Sequence, residues 1–249
     1  MRRHLGLCFR FVAGSALCVA ATPAAWPAPQ TISAFSAQAD GAPPAPWQIH
    51  RLPLKPETPV TALTIEAVNG SHVLAVRTNR SYGNAVWPWP DAAQAIGKLQ
   101  WTWRLQQALP RSNLHSRWGD DVALKVCVLF DMPTDKLSLG ERMMLAWGRK
   151  AAGTKLPSAT LCYVWDTQLP LGASMANAFT QRLRYVVVDS GPPRAGWTTH
   201  TVDVAADFAK HFGHEYNKLP AVLAIAVGGD SDNTQSASLG FVGDLLLLP

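Results

Sequence analysis

The stretch Ala221 to Leu248 reads A-V-L-A-I-A-V-G-G-D-S-D-N-T-Q-S-A-S-L-G-F-V-G-D-L-L-L-L. It holds two apolar runs on either side of an acidic turn that carries Asp230, Asp232, Asn233 and Thr234. Apolar, β-branched runs bounded by Gly and Asp read as strands. The same pattern recurs upstream. Thr61 to Val68 alternates, Asn69-Gly70 turns the chain, and V-L-A-V-R-T follows. Asn-Gly between alternating runs is a strong hairpin signal, because both residues tolerate the positive φ that a tight turn requires. Leu99 to Leu105 (L-Q-W-T-W-R-L) sets Trp101, Trp103 and Leu105 on one face and Gln100, Thr102 and Arg104 on the other. Val122 to Phe130, Ala159 to Trp165, Leu183 to Val188 and Trp197 to Val202 are further β-rich runs.

Helix is scarce. Asp203 to Phe212 is the best candidate, with Asp203 as its cap, Val204, Phe208 and Phe212 at helical spacing, and Gly213 as a stop. Leu137 to Trp147 suits a short helix or a strand. The expected architecture is all-β: an antiparallel β-sandwich of jelly-roll or galactose-binding-like outline with one or two short helices.

The ends set the organisation. Arg2 and Arg3, the apolar run Leu5 to Ala21 and the small residues near Ala25 read as a signal peptide over residues 1–25. Residues 26–59 are rich in Pro and Ala and read as a lead-in, flexible over Trp26 to Ala45; residues 60–249 form one domain. No other run is long and apolar enough to span a bilayer, so the expected location is the periplasm or beyond. Of 22 basic residues three leave with the signal, so 19 face 17 acidic ones. No Lys/Arg block survives, and no nucleic-acid partner is expected. Cys127 and Cys162 stay in the mature chain, either as a disulfide that export permits or as two small buried hydrophobes.

Several segments carry a resemblance. They are L-x-W-x-W-R at Leu99 to Arg104, G-D-D and V-A-L-K-V-C-V-L-F-D within Gly119 to Asp131, Y-V-W at Tyr163 to Trp165, and V-V-V-D-S-G at Val186 to Gly191. Asp207-Phe208 to Phe212-Gly213 and the D-S-D-N-T turn complete them. In this order they resemble a bacterial secreted family, the domain of unknown function DUF3047, over roughly residues 60 to 249. The resemblance implies a β-sandwich and carries no activity and no catalytic residues. Tyr82 to Pro90 and Leu137 to Lys155 depart from the plainer family pattern.

The candidate site residues follow from chemistry. Asp230, Asp232 and Asn233, with Asp244 or with Asp120 and Asp121, supply the oxygens that a calcium ion wants. The bland alternative is a solvated turn whose Asp and Asn side chains bond their own backbone. Trp87 and Trp89 lie between prolines in an expected loop and are candidates to stack on sugars, whereas Trp101 and Trp103 read as core. Arg104 could clamp a carboxylate or phosphate, or pair with Asp120 or Asp121 across strands. His211, His214 and Glu215 have the letters of a zinc site in the wrong order. Three functions remain open. One is a non-catalytic exported domain that binds a glycan or cell-envelope ligand. The second is a polysaccharide hydrolase using a pair among Asp120, Asp121, Asp131, Asp166 and Asp189. The third is an envelope structural protein stabilised by calcium.

Overall fold

The computed structural model describes residues 29–52, 55–90, 96–135, 137–152 and 156–248. The signal peptide read over residues 1–25 lies outside them. The first strands are β1 (Gln30–Ser33), β2 (Gln48–His50), β3 (Ala62–Val68), β4 (Ser71–Asn79), β5 (Tyr82–Pro88), β6 (Lys98–Gln107) and β7 (Lys125–Asp131). Helix α1 (Leu139–Ala152) precedes β8 (Ala159–Asp166), β9 (Ser174–Ala176), β10 (Leu183–Ser190) and β11 (Thr198–Asp203). Helix α2 (Val204–Phe212), β12 (Ala221–Asp230) and β13 (Ala237–Leu248) complete the order.

The strands form two sheets. One has the order β11-β6-β13-β4-β3, with β1 also on β13; the other runs β2-β5-β12-β7-β8-β10-β9. The all-β sandwich with two short helices is therefore the architecture. The Asn69-Gly70 hairpin forms as read, with φ of 52° and 85° at the two turn residues and Val68 opposite Ser71. One pairing differs from the antiparallel expectation: β10 runs parallel to β8. The 16 residues between them, 167–182, loop back past the end of the sheet and include β9, which caps the edge.

The core lies between the sheets. Trp101 and Trp103 point inward from β6 and are fully buried. Trp101 meets Tyr163 of β8 at 5.6 Å between ring centroids, and Trp103 meets Trp165 at 6.1 Å. Asp189, brought inward at an irregularity in β10, accepts Trp103 Nε1–H at 2.7 Å and lies 2.7 Å from His200 Nε2. These contacts and the buried carboxylate link the sheets. Helix α2 closes one end: Asp203 accepts the Ala206 N–H at 2.9 Å, and Phe208 packs 4.9 Å from Phe130.

Two readings need correction. The flexible lead-in over Trp26 to Ala45 is ordered where it is described. β1 pairs with β13, Phe35 is fully buried, and β2 adds to β5. Pro-rich composition described the connections there but hid two short strands, one paired with β13 at the far end of the chain and the other with β5. The second correction concerns Trp87 and Trp89. Trp87 belongs to β5 rather than to a loop, and Trp89, 8% exposed, joins the core against it at 6.0 Å. Prolines fit here because the chain is leaving an outer segment of the sheet.

Cys127 and Cys162 sit opposite each other on β7 and β8 and form a disulfide. Among the described residues no helix is long and apolar enough to cross a membrane.

Two outcomes are expected. Trp89→Ala should lower stability by about 3–5 kcal/mol, the usual cost of emptying a buried aromatic site, read as a denaturation midpoint. Replacing Cys127 and Cys162 together by Ala should cost about 2–5 kcal/mol in the same assay.

Candidate functional site

The acidic turn folds around a lysine. β12 ends at Asp230, which is 5% exposed, and Lys125 at the start of β7 reaches it with Nζ 2.7 Å from Oδ1. The same oxygen accepts the Val122 N–H at 3.3 Å. Asp121, fully buried, accepts the Asn233 N–H at 3.1 Å on one oxygen and the Thr234 N–H at 2.6 Å on the other. Asp232 stands nearby with Lys55 3.9 Å away. Asn233 Nδ2 donates to the Asp120 carbonyl at 3.0 Å, and the Asp120 carboxylate accepts from Asn177 Nδ2.

Asp121, Asp230 and Asp232 each offer an oxygen within 4.8 Å of the others, so they are the residues that could hold a cation. The donor set fits calcium poorly. Calcium takes six to eight oxygens, yet here an ammonium sits against Asp230 and both Asp121 oxygens already hold backbone N–H groups. A metal would have to displace the chain's own cation. Asp244 does not join the cluster. It lies within β13 and binds Ser36, accepting its N–H at 2.9 Å and its hydroxyl at 2.6 Å. Sequence proximity suggested Asp244, but the strand carries it away along the sheet.

Burial dominates the electrostatics. It pushes the Asp230 carboxyl up to about 7 against the opposing pull of Lys125, with Asp121 and Asp120 adding repulsion. Asp120 and Asp232 are also raised, chiefly by burial. Burial pulls Lys125 down, but Asp230, the Tyr82 phenol and Asp120 together outweigh it and leave the ammonium raised.

The remaining candidates are dispersed. Arg104 does not meet Asp120 or Asp121; it stands on the outer face of β6 against Trp197 and Phe241, 5.6 and 4.9 Å from their ring centres. Asp131 lies 3.7 Å from Arg149, and Asp166 accepts the Gln168 and Leu169 N–H groups at 2.7 and 2.6 Å. Asp189 is engaged by Trp103, His200 and Arg194. Each carboxylate weighed for hydrolysis thus has a structural partner. Glu215, in the H-F-G-H-E segment, is held by Arg182 at 2.5 Å and Arg184 at 3.0 Å.

A different place has the shape of a binding site. On the outer face of the six-stranded sheet lies a groove of about 510 Å³. Gln100 and Thr102 of β6 and Asp244 of β13 line it, with His72 from the Asn69-Gly70 hairpin on one side and Trp197 on the other. Gly243 belongs here because a Cβ at that position would collide with Thr102 Oγ1. Several of the polar side chains are held in place. Asp244 is fixed by Ser36, and Gln100 Nε2 donates to Thr201 Oγ1 at 2.8 Å. Trp197 is 36% exposed. The alternation in Leu99 to Leu105 already placed Gln100, Thr102 and Arg104 on one outward face. Trp197 and His72 were missed, because their meeting depends on how β11 and β4 lie across the sheet.

The profile of the family described as "Protein of unknown function (DUF3047)" matches residues 45–246. The chain belongs to the DUF3047 family. No curated protein matches it. Among solved structures, it resembles the family 11 carbohydrate-binding module of the cellulosomal cellulase Lic26A-Cel5E of Clostridium thermocellum. That likeness has a TM-score of 0.40 and 9% identity, covering 89% of this chain and 95% of that one. It also resembles endoglucanase 3 of Trichoderma harzianum, from family GH12, with a TM-score of 0.39 and 11% identity, covering 84% of this DUF3047 chain and 100% of the other. At these scores neither likeness bears on what this chain binds.

The cluster generates a pH prediction. A carboxyl raised in the folded state holds its proton more tightly there than in the unfolded chain, so ionisation weakens the fold. Stability from Asp230 should be full below its ordinary 3.8 and fall as pH rises towards about 7. Thermal midpoints across that window should decline, and Asp232→Asn, by removing a second carboxyl that burial raises, should flatten the decline. Lys125→Met should cost about 3–5 kcal/mol, as expected when one partner of a buried pair is removed.

Proposed function

We propose that this chain is an exported, non-catalytic domain that binds a glycan in the groove on the outer face of its six-stranded sheet. The observation that carries the reading is the groove itself: one indole wall facing fixed polar side chains in about 510 Å³. Small-molecule sites commonly occupy roughly 300–1,000 Å³ and combine apolar walls with a few placed polar groups. A sugar has the matching chemistry, with C–H faces for an aromatic ring and hydroxyls for Gln100, Thr102, His72 and Asp244. Trp offers that area at little rotamer cost. Because Ser36 and Thr201 restrain Asp244 and Gln100, less side-chain freedom is lost on binding.

Export is part of the proposal. The positive start at Arg2 and Arg3 followed by Leu5 to Ala21 supports it. So does the Cys127–Cys162 disulfide, which suits an oxidising compartment.

Binding of the mature chain to a panel of bacterial and plant oligosaccharides tests the reading. Trp197→Ala should weaken the best binder about tenfold or more, the scale of losing one aromatic anchor, while the thermal midpoint stays near that of the parent. Affinity unchanged in that variant would remove the groove as the site.

A further inference from the structure

We infer that the glycan is acidic, and that its carboxylate or sulfate is received at the Arg104 end of the groove; this rests on the groove reading above. Among the described residues several guanidinium groups are paired with carboxylates, while Arg111 and Arg117 donate to backbone carbonyls. Arg77 holds Glu66, Arg182 and Arg184 hold Glu215, and Arg194 holds Asp189. Among the described residues no carboxylate pairs with Arg104. Its Nη2 donates to the neutral Gln106 Oε1 at 3.3 Å, and the guanidinium group rests against two aromatic rings that also touch each other. Ring contacts orient the cation and leave its charge uncompensated.

Arg104 also lines a second, smaller cleft of about 250 Å³, between residues 104–106 and the segment Pro193, Arg194 and Ala195. Arg194 contributes the other guanidinium group, half-exposed and lying over Trp165 at 4.8 Å. Its partner Asp189 already takes the Trp103 N–H and lies against His200, so one buried carboxylate serves several donors. Arg104 and Arg194 thus both line this cleft, Arg194 paired with Asp189 and Arg104 with no carboxylate partner among the described residues. The planar donor fork of the Arg104 guanidinium group suits a carboxylate or a sulfate.

Cleft and groove adjoin. Thr102 lines the groove and Arg104 the cleft, two residues apart on the same outward face of β6, and Trp197 borders the groove while contacting Arg104. A sugar chain lying along Trp197 spans both. Asp244 stands in the groove with both oxygens bound to Ser36, which sets the acidic unit at the arginine end.

The experiment titrates the full mature chain with an oligogalacturonate, its methyl ester and a sulfated galactan oligosaccharide, using the parent, Arg104→Gln, Arg104→Lys and Trp197→Ala. Melting curves exclude unfolded variants. The expected result is binding of the oligogalacturonate or the sulfated sugar, with the ester much weaker. Arg104→Gln should lose about tenfold or more of the acidic affinity, in line with a charge-assisted hydrogen bond, and Arg104→Lys should recover part of it. The two acidic ligands separate carboxylate from sulfate as the source of the anion. If acid and ester bind equally and Arg104→Gln changes nothing while Trp197→Ala still weakens both, the acidic assignment is overturned and the groove reading stands. If neither variant matters, or if none of the three sugars binds, both are overturned.

Discussion

The two-residue period of β6 is the constraint on which core and surface both depend. One face of that strand carries Trp101, Trp103 and Leu105 into the space between the sheets, where they meet Tyr163 and Trp165. The other face then has to carry Gln100, Thr102 and Arg104 outward. A one-residue slip would exchange the two sets and expose the indoles. The register with β11 and β13 prevents it, with Trp101 opposite His200 on one side and Leu245 on the other. The packing that stabilises the sandwich therefore also builds the floor of the groove.

At the end of the β5–β12 pair the chain uses charge where the sheets use apolar area. Asp230, Asp120 and Asp232 interact with Lys125, which also lies 4.9 Å from the centre of the Tyr82 ring. The loop after β12 is anchored by Asp121 through the Asn233 and Thr234 N–H groups, and the loop before β7 by Asp230 through Val122. These are side chains satisfying backbone donors that no strand reaches, which buried loops require.

Periodic features were readable from the chain. The hairpin at Asn69-Gly70, the alternation at Leu99 to Leu105 and the capped helix after Asp203 are local patterns with local causes, and the structure contains each. What was not readable depends on partners far along the chain. β1 and β2 are too short to show alternation and exist because β13 and β5 offer edges to them. The parallel pairing of β10 with β8 follows from where the connection lands. Within the candidate site, the acidic turn was visible as letters, but the lysine that completes it lies 105 residues away in sequence. Asp244, offered from the sequence as a residue to complete that cluster, answers to Ser36 at a separation of 208 residues. Trp87 and Trp89 misled because flanking prolines suggest a loop, whereas the ring contacts place both indoles at the core.

The position of the disulfide has a consequence for how the molecule tolerates damage. Cys127 and Cys162 lie on either side of the whole excursion that leaves β7, forms α1 and returns as β8. Helix α1 buries little of itself, with Leu139, Met143, Met144 and Trp147 exposed on its surface. A protease cutting within that excursion would break the backbone without separating the fragments, because the two strands remain joined by sulfur beneath the cut. The excursion can therefore lengthen, shorten or be nicked while the sheet that carries β7 and β8 stays one covalent piece.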